Sequence, residues 1–145
     1  MSVFQGILSG LLGGILMGAV SEAFYRFGIF KSSVFIIDGS FVTRFLKKHA
    51  DGISTYLFGI PVHIITSTAF GVIYMGGTHI LKLDSRSTGV LWVYVTVLWI
   101  SMLFAALPVA GQGFLGRKGG RFVWAEQLLL HIVYGIGLWF SLNQI

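Results

Sequence analysis

No cysteine occurs in the 145 residues of this chain, and Asp and Glu number five in all. The first absence excludes disulfides, thiolate metal centres and cysteine nucleophiles, and leaves the redox compartment open. The second belongs to a charged content of 10%, far below the roughly one quarter usual in soluble domains. With only two prolines, few helix breaks are imposed. The serines are scattered, and the acids inside the long apolar runs are Glu22 and Glu126, so no Ser-His-Asp logic can be assembled and no hydrolytic or nucleophilic enzyme is expected. A basic segment ahead of the first apolar run is also lacking. That run ends in Glu22 and Arg26, not in a small-residue cleavage site, and is expected to be a retained helix.

What fills the chain is apolar: 55% hydrophobic and 15% aromatic residues, with a mean hydropathy of +0.85. Four apolar stretches, at about 3–25, 53–77, 88–109 and 122–143, each approach the roughly 20 residues that cross a bilayer core. They predict an all-α integral membrane protein, a four-helix transmembrane bundle (TM1 to TM4) forming one domain over 1–145. The formal net charge of +5 is accounted for by the connections, not by nucleic-acid binding. Segments 26–52 and 110–121 together hold eight Lys and Arg, whereas 78–87 holds Lys82 and Arg86. The positive-inside rule puts the first and third connections in the cytoplasm and both termini outside. Trp124 then lies at the inner interface, and Trp92 and Trp139 near the outer one.

The first connection contains a stretch in which Ser40 is a candidate cap, Phe41, Val42, Phe45 and Leu46 share one face, and Arg44, Lys47 and Lys48 share the other. It reads either as a short interfacial helix at about 40–50, lying on anionic headgroups, or as a solvated positive-inside loop. The third connection is glycine-rich and basic, but it lacks the Gly-Lys-Ser/Thr ending of a P-loop and any preceding strand. A flexible loop is expected there, not a nucleotide site.

TM1 carries Gly6, Gly10, Gly14 and Gly18 at four-residue spacing, so one of its faces has no side chains and a neighbouring helix can approach closely. Glu22 continues that spacing and Arg26 follows by four, predicting an ion pair. Glu126, one turn into TM4, lies at similar depth near Arg121. The four charges are expected to form one structural ion-pair cluster near the helix ends.

His63 and His131 each lie nine or ten residues inside their helices, about 14 Å deep at 1.5 Å per residue, and thus at matching depth near the midplane. Gly59 and Ser67 flank His63 by four residues; Gln127 and Gly135 flank His131. Pro61 frees a backbone carbonyl nearby. Three readings are open for this pair. It is interhelical hydrogen-bonding glue; or it is the axial ligand set of a b-type haem in a pocket that includes Gly59, Ser67 and Gly135; or it serves a proton relay, a quinone contact or a bare metal ion. Two His without Cys or a neighbouring carboxylate make a poor closed zinc site. His49 and His79 fall in loop or interfacial positions.

Three further stretches are Pro61-Val62-His63-Ile64 running to Phe70-Gly71-Val72-Ile73-Tyr74, Leu107-Pro108-Val109-Ala110-Gly111 with Gly113-Phe114, and Leu128-Leu129-Leu130-His131-Ile132-Val133-Tyr134-Gly135. With the glycine-rich TM1, these resemble a widespread set of small four-helix bacterial and archaeal membrane proteins of uncharacterised function. The resemblance implies the fold and a prokaryotic inner or cell membrane, and it singles out His63 and His131 without implying an activity. Two functions are therefore expected in competition. One is a small accessory subunit that docks, through its smooth helix face, onto other membrane subunits or itself. The other is an electron-transfer subunit holding haem b between His63 and His131 and exchanging electrons with a quinone.

Overall fold

A computed structural model describes residues 3–46 and 52–144, and among these every regular element is helical. The order is α1 (Val3–Arg26), α2 (Val34–Phe45), α3 (Gly52–Ile80), α4 (Thr88–Ser101), a π-helical segment (Met102–Ala106), the short α5 (Leu107–Val109), a 3-10 turn (Phe114–Gly116) and α6 (Val123–Gln144). Four units are long and apolar enough to cross a membrane: α1, α3, the continuous Thr88–Val109 and α6. They coincide with TM1 to TM4 to within a few residues at each end. Many large apolar side chains point outward, among them Ile65, Ile73, Val93 and Phe140, as a surface solvated by lipid requires.

α1 is the central staff of the bundle, because glycine lets its neighbours in. Its row of Gly6, Gly10 and Gly14 lies against the Ser67–Gly71–Met75 face of α3. A Cβ at Gly10 would stand 2.6 Å from the Ser67 carbonyl oxygen, and one at Gly6 would stand 2.9 Å from Val72 Cα. On another side, Gly13 receives the Tyr134 ring and Gly137 of α6. Gly18, the fourth member of the row, faces the Phe35 ring of α2. α6 in turn packs on α4 through Gly135, which lies against Trp92 and Val95.

α2 departs from the expected interfacial helix at 40–50. It begins one and a half turns earlier, capped by Ser33, whose side chain accepts from the Phe35 N–H at 3.3 Å. Ser40 sits inside the helix and does not cap it; the positions of Lys47, Lys48 and His49 lie outside the described residues. Nor does α2 rest on a surface. Val34, Ile37, Gly39 and Thr43 are buried, the Val34 N–H donates to Ser21 Oγ of α1 at 2.8 Å, and Phe35 and Gly39 face Gly59 and Thr55 of α3. Those pairings run α2 antiparallel to α3, as a half-length fifth helix built into the bundle. Its apolar run Val34–Ile37 is too short to span a bilayer but long enough to bury one face.

The glycine-rich third connection, expected as a flexible loop, takes a compact, internally hydrogen-bonded conformation. Gly111, Gly113 and Gly116 take φ of +87°, +73° and +71°, a conformation that favours glycine. The N–H groups of Gly116, Arg117, Lys118, Gly119 and Gly120 all donate to carbonyls within the same loop, so none forms a phosphate cradle. The π segment before it has a local cause. Pro108 offers no N–H, and its ring would crowd the Phe104 carbonyl in a regular helix; the widened turn, in which Leu107 N–H reaches Met102 O, relieves both.

Candidate functional site

At mid-depth, five helical elements meet around a cavity of about 70 Å³ lined by Asp38 of α2, His63 and Ser67 of α3, and His131 and Tyr134 of α6, with Met17 of α1 among its apolar walls. Toward the lipid side the lining is Thr66, Phe70, Leu98 and Met102, so the cavity lies behind the seam between α3 and the junction of α4 with the π segment. Thr66 and Phe70 are exposed at that seam.

His63 is held at both ring nitrogens. Nε2 lies 3.0 Å from the Gly14 carbonyl oxygen and Nδ1 lies 3.0 Å from Asp38 Oδ2. A carbonyl can only accept, so Nε2 carries a proton and donates it. The remaining bond, between Nδ1 and Asp38, then contains one proton shared by the pair. Either a neutral carboxyl donates to a neutral imidazole, or an imidazolium donates to a carboxylate. The geometry follows from helix direction. Side chains lean toward the N-terminus of their own helix, so on antiparallel α2 and α3 the Asp38 and His63 side chains lean toward each other. Gly14 has no side chain to hide its carbonyl. The His63 side chain is 4% exposed and that of Asp38 22%, which leaves the carboxyl as the open end of the dyad.

His131 is held at one nitrogen. Nδ1 donates to the Gln127 carbonyl at 2.8 Å, which leaves Nε2 a lone pair with no partner among the described residues. Tyr134 crosses Gly13 to donate to the Ser67 carbonyl at 2.9 Å, and Ser67 Oγ donates to the His63 carbonyl at 2.6 Å. The walls of the cavity are thereby tied across α1, α3 and α6.

The expected pairing of His63 with His131 at one depth holds in that both line one cavity, but they do not fit a haem. His63 has no free nitrogen to offer iron, and the cavity is far smaller than a porphyrin. Gly59 and Gly135 do not open onto it: α2 fills the space over Gly59 with the Phe35 backbone, and Trp92 fills the space over Gly135. Ser67 does line it. Among the described residues no group of three His, Asp or Glu side chains is arranged to hold a metal ion.

The single cluster of Glu22, Arg26, Arg121 and Glu126 is likewise replaced by two separate arrangements. Glu22 pairs with Arg26 at 2.7 Å and accepts from the Tyr56 hydroxyl of α3 at 3.1 Å. Glu126 accepts from the Lys31 backbone N–H at 3.2 and 3.3 Å. Arg121 makes no ion pair with it and stands 5.6 Å over the Phe122 ring. The loop 27–33, which the sequence presents only as a connection, intervenes and takes the Glu126 carboxylate for itself.

Asp38 is the member of this candidate site that sequence reasoning misses. It lies in the segment between TM1 and TM2, where an acid reads as loop, and only the burial of α2 carries its carboxyl to His63. The signal was the run Val34-Phe35-Ile36-Ile37 immediately before it, too apolar for a solvated loop. The sequence matches no protein-family model, no curated protein and no solved structure.

Proposed function

We propose that this protein binds a small membrane-dissolved molecule at the seam between α3 and α4 and exchanges a proton with its polar head through Asp38 and His63. The observation that carries this reading is the Asp38–His63 dyad, sharing one proton at mid-depth and facing a cavity behind a lipid-facing seam. Ionisable groups at such depth are costly in a membrane protein and serve chemistry or transport far more readily than packing. Asp38 is the donor or acceptor toward the ligand. His63 takes up or returns the shared proton, and the Gly14 carbonyl fixes its tautomer. The Nε2 lone pair of His131 accepts a hydrogen bond from the ligand's hydroxyl or N–H. Transfer changes the charge of the dyad by one, and an uncompensated charge at that depth is costly, so a ligand whose head gains and loses protons itself is favoured. A hydroxyquinone head, whose ring hydroxyl gains and loses a proton with no change of oxidation state and whose carbonyl oxygens accept, has that chemistry.

The alternative of an accessory subunit rests on small size, short loops, the lack of catalytic groups and the smooth face of α1, and the last of these no longer counts toward it. That face is occupied inside the chain by α3, so it is not available to a partner. For orientation we propose the basic end of the bundle, with Arg26, Arg44, Arg117 and Arg121, on the cytoplasmic side of a prokaryotic cell membrane, and both termini outside.

The test is titration of the protein in nanodiscs with a short-chain hydroxyquinone, followed by quenching of tryptophan fluorescence. Saturable quenching is expected in the unaltered protein, with affinity lost in Asp38→Asn and in His131→Ala and retained in Thr96→Ala on the outer face of α4. Equal quenching in all four proteins would contradict the reading.

A further inference from the structure

A second site lies at the basic end, apart from the dyad. A groove of about 590 Å³ runs between the loop after α1 and the start of α6, with Phe24, Phe30 and Phe122 along its walls and Lys31, Arg121 and Glu126 at its polar end. Phe24 and Phe30 pack edge to face at 5.1 Å and make one wall rigid, while Phe122 is 61% exposed and stands at the mouth. The Lys31 stem passes Gly120, where an added Cβ would stand 3.1 Å from Lys31 Cγ, and Lys31 and Arg121 both line the groove. Both oxygens of the Glu126 carboxylate are turned toward the Lys31 backbone N–H. Among the described residues neither Lys31 nor Arg121 is within ion-pair distance of an acid, and with the Glu126 carboxylate near Lys31 the groove carries one net positive charge over an aromatic trough at the end of the bundle.

We infer that this groove binds the phosphate of an anionic phospholipid, with Lys31 and Arg121 on the phosphate and the first acyl carbons against the three phenylalanines. Charge complementarity favours this occupant: the groove carries two cations against one carboxylate, a net positive charge, and its walls are apolar where a soluble anion would need water. Zwitterionic lipid of the same chains offers the same apolar contact but no net charge. Each cation near a membrane surface contributes about a fivefold factor in affinity for anionic lipid.

The experiment is native mass spectrometry of the full chain, delipidated in detergent and titrated with phosphatidylglycerol or with phosphatidylcholine of identical chains. A preference of about fivefold for phosphatidylglycerol is expected, one net positive charge's worth. It should fall to near unity in Lys31→Gln/Arg121→Gln and persist in Arg117→Gln/Lys118→Gln, which removes equal charge from the same end. Circular dichroism melting shows that both double variants fold. Equal binding of the two lipids, an equal loss of preference in both double variants, or displacement of phosphatidylglycerol by millimolar inorganic phosphate would each overturn the inference, the last by assigning the groove to a soluble anion.

Discussion

His63 is fixed by partners on two different helices, and this makes its energetic role separable from its chemical one. Replacement by Ala takes its imidazole partner from the part-buried Asp38 carboxyl, and orphaning a polar group away from water costs about 1–3 kcal/mol. His63→Ala should therefore lower stability by that amount in a denaturant titration of the detergent-solubilised protein. Asp38→Asn keeps a hydrogen-bonding group facing Nδ1 and should cost less, while abolishing proton exchange. A double-mutant cycle on the two positions should return a coupling of about 0.5–3 kcal/mol; additive losses would mean that the 3.0 Å contact carries no energy. Asp38 shows why the site was only half legible in the sequence. Depth along a helix follows from counting residues, so His63 and His131 could be placed at one level. A carboxylate that reaches the same level from a different, half-length helix cannot be counted there.

The elements divide in the same manner. The four crossings were legible because hydropathy over 20 residues is set by the solvent and not by neighbours. The glycine row of α1 announced a close approach, though not whether its partner is inside or outside the chain; the structure answers with α3. That answer changes the expected effect of substitution from lost assembly to lost folding. Gly10→Ala, which puts a methyl 2.6 Å from the Ser67 carbonyl oxygen, should destabilise by about 1–3 kcal/mol. Gly76→Ala, where nothing lies within 4 Å, should be neutral or slightly stabilising. Thermal unfolding of the two variants side by side checks this; equal melting temperatures would count against the packing described. α2 was the element least legible, since its cap and buried face depend on Ser21 and Gly59 of other helices. Ser21→Ala removes the acceptor of the Val34 N–H. Hydrogen exchange should then quicken at Val34 through Asp38 while α3 stays protected.

At the scale of the whole molecule, charge and apolar surface arrange themselves about a membrane plane. The end that carries the folded glycine loop, the Glu22–Arg26 pair and the aromatic groove is the basic one, and Val3 and Gln144 lie at the other. A cysteine introduced at Gly52, where no atom lies within 4 Å of the added Cβ, reports orientation in this cysteine-free chain. It should react with a membrane-impermeant maleimide only after cells are opened; labelling in intact cells would invert the bundle.

The central claim is that Asp38 and His63 share a proton that a ligand can take or give, and infrared difference spectroscopy of the carboxyl C=O stretch reads it directly. Difference spectra between quinone-bound and quinone-free protein in nanodiscs should contain a carboxyl band that is absent in Asp38→Asn and altered in His63→Gln. A difference spectrum in which no carboxyl band responds to the ligand, or in which the responding band survives Asp38→Asn, would contradict the account.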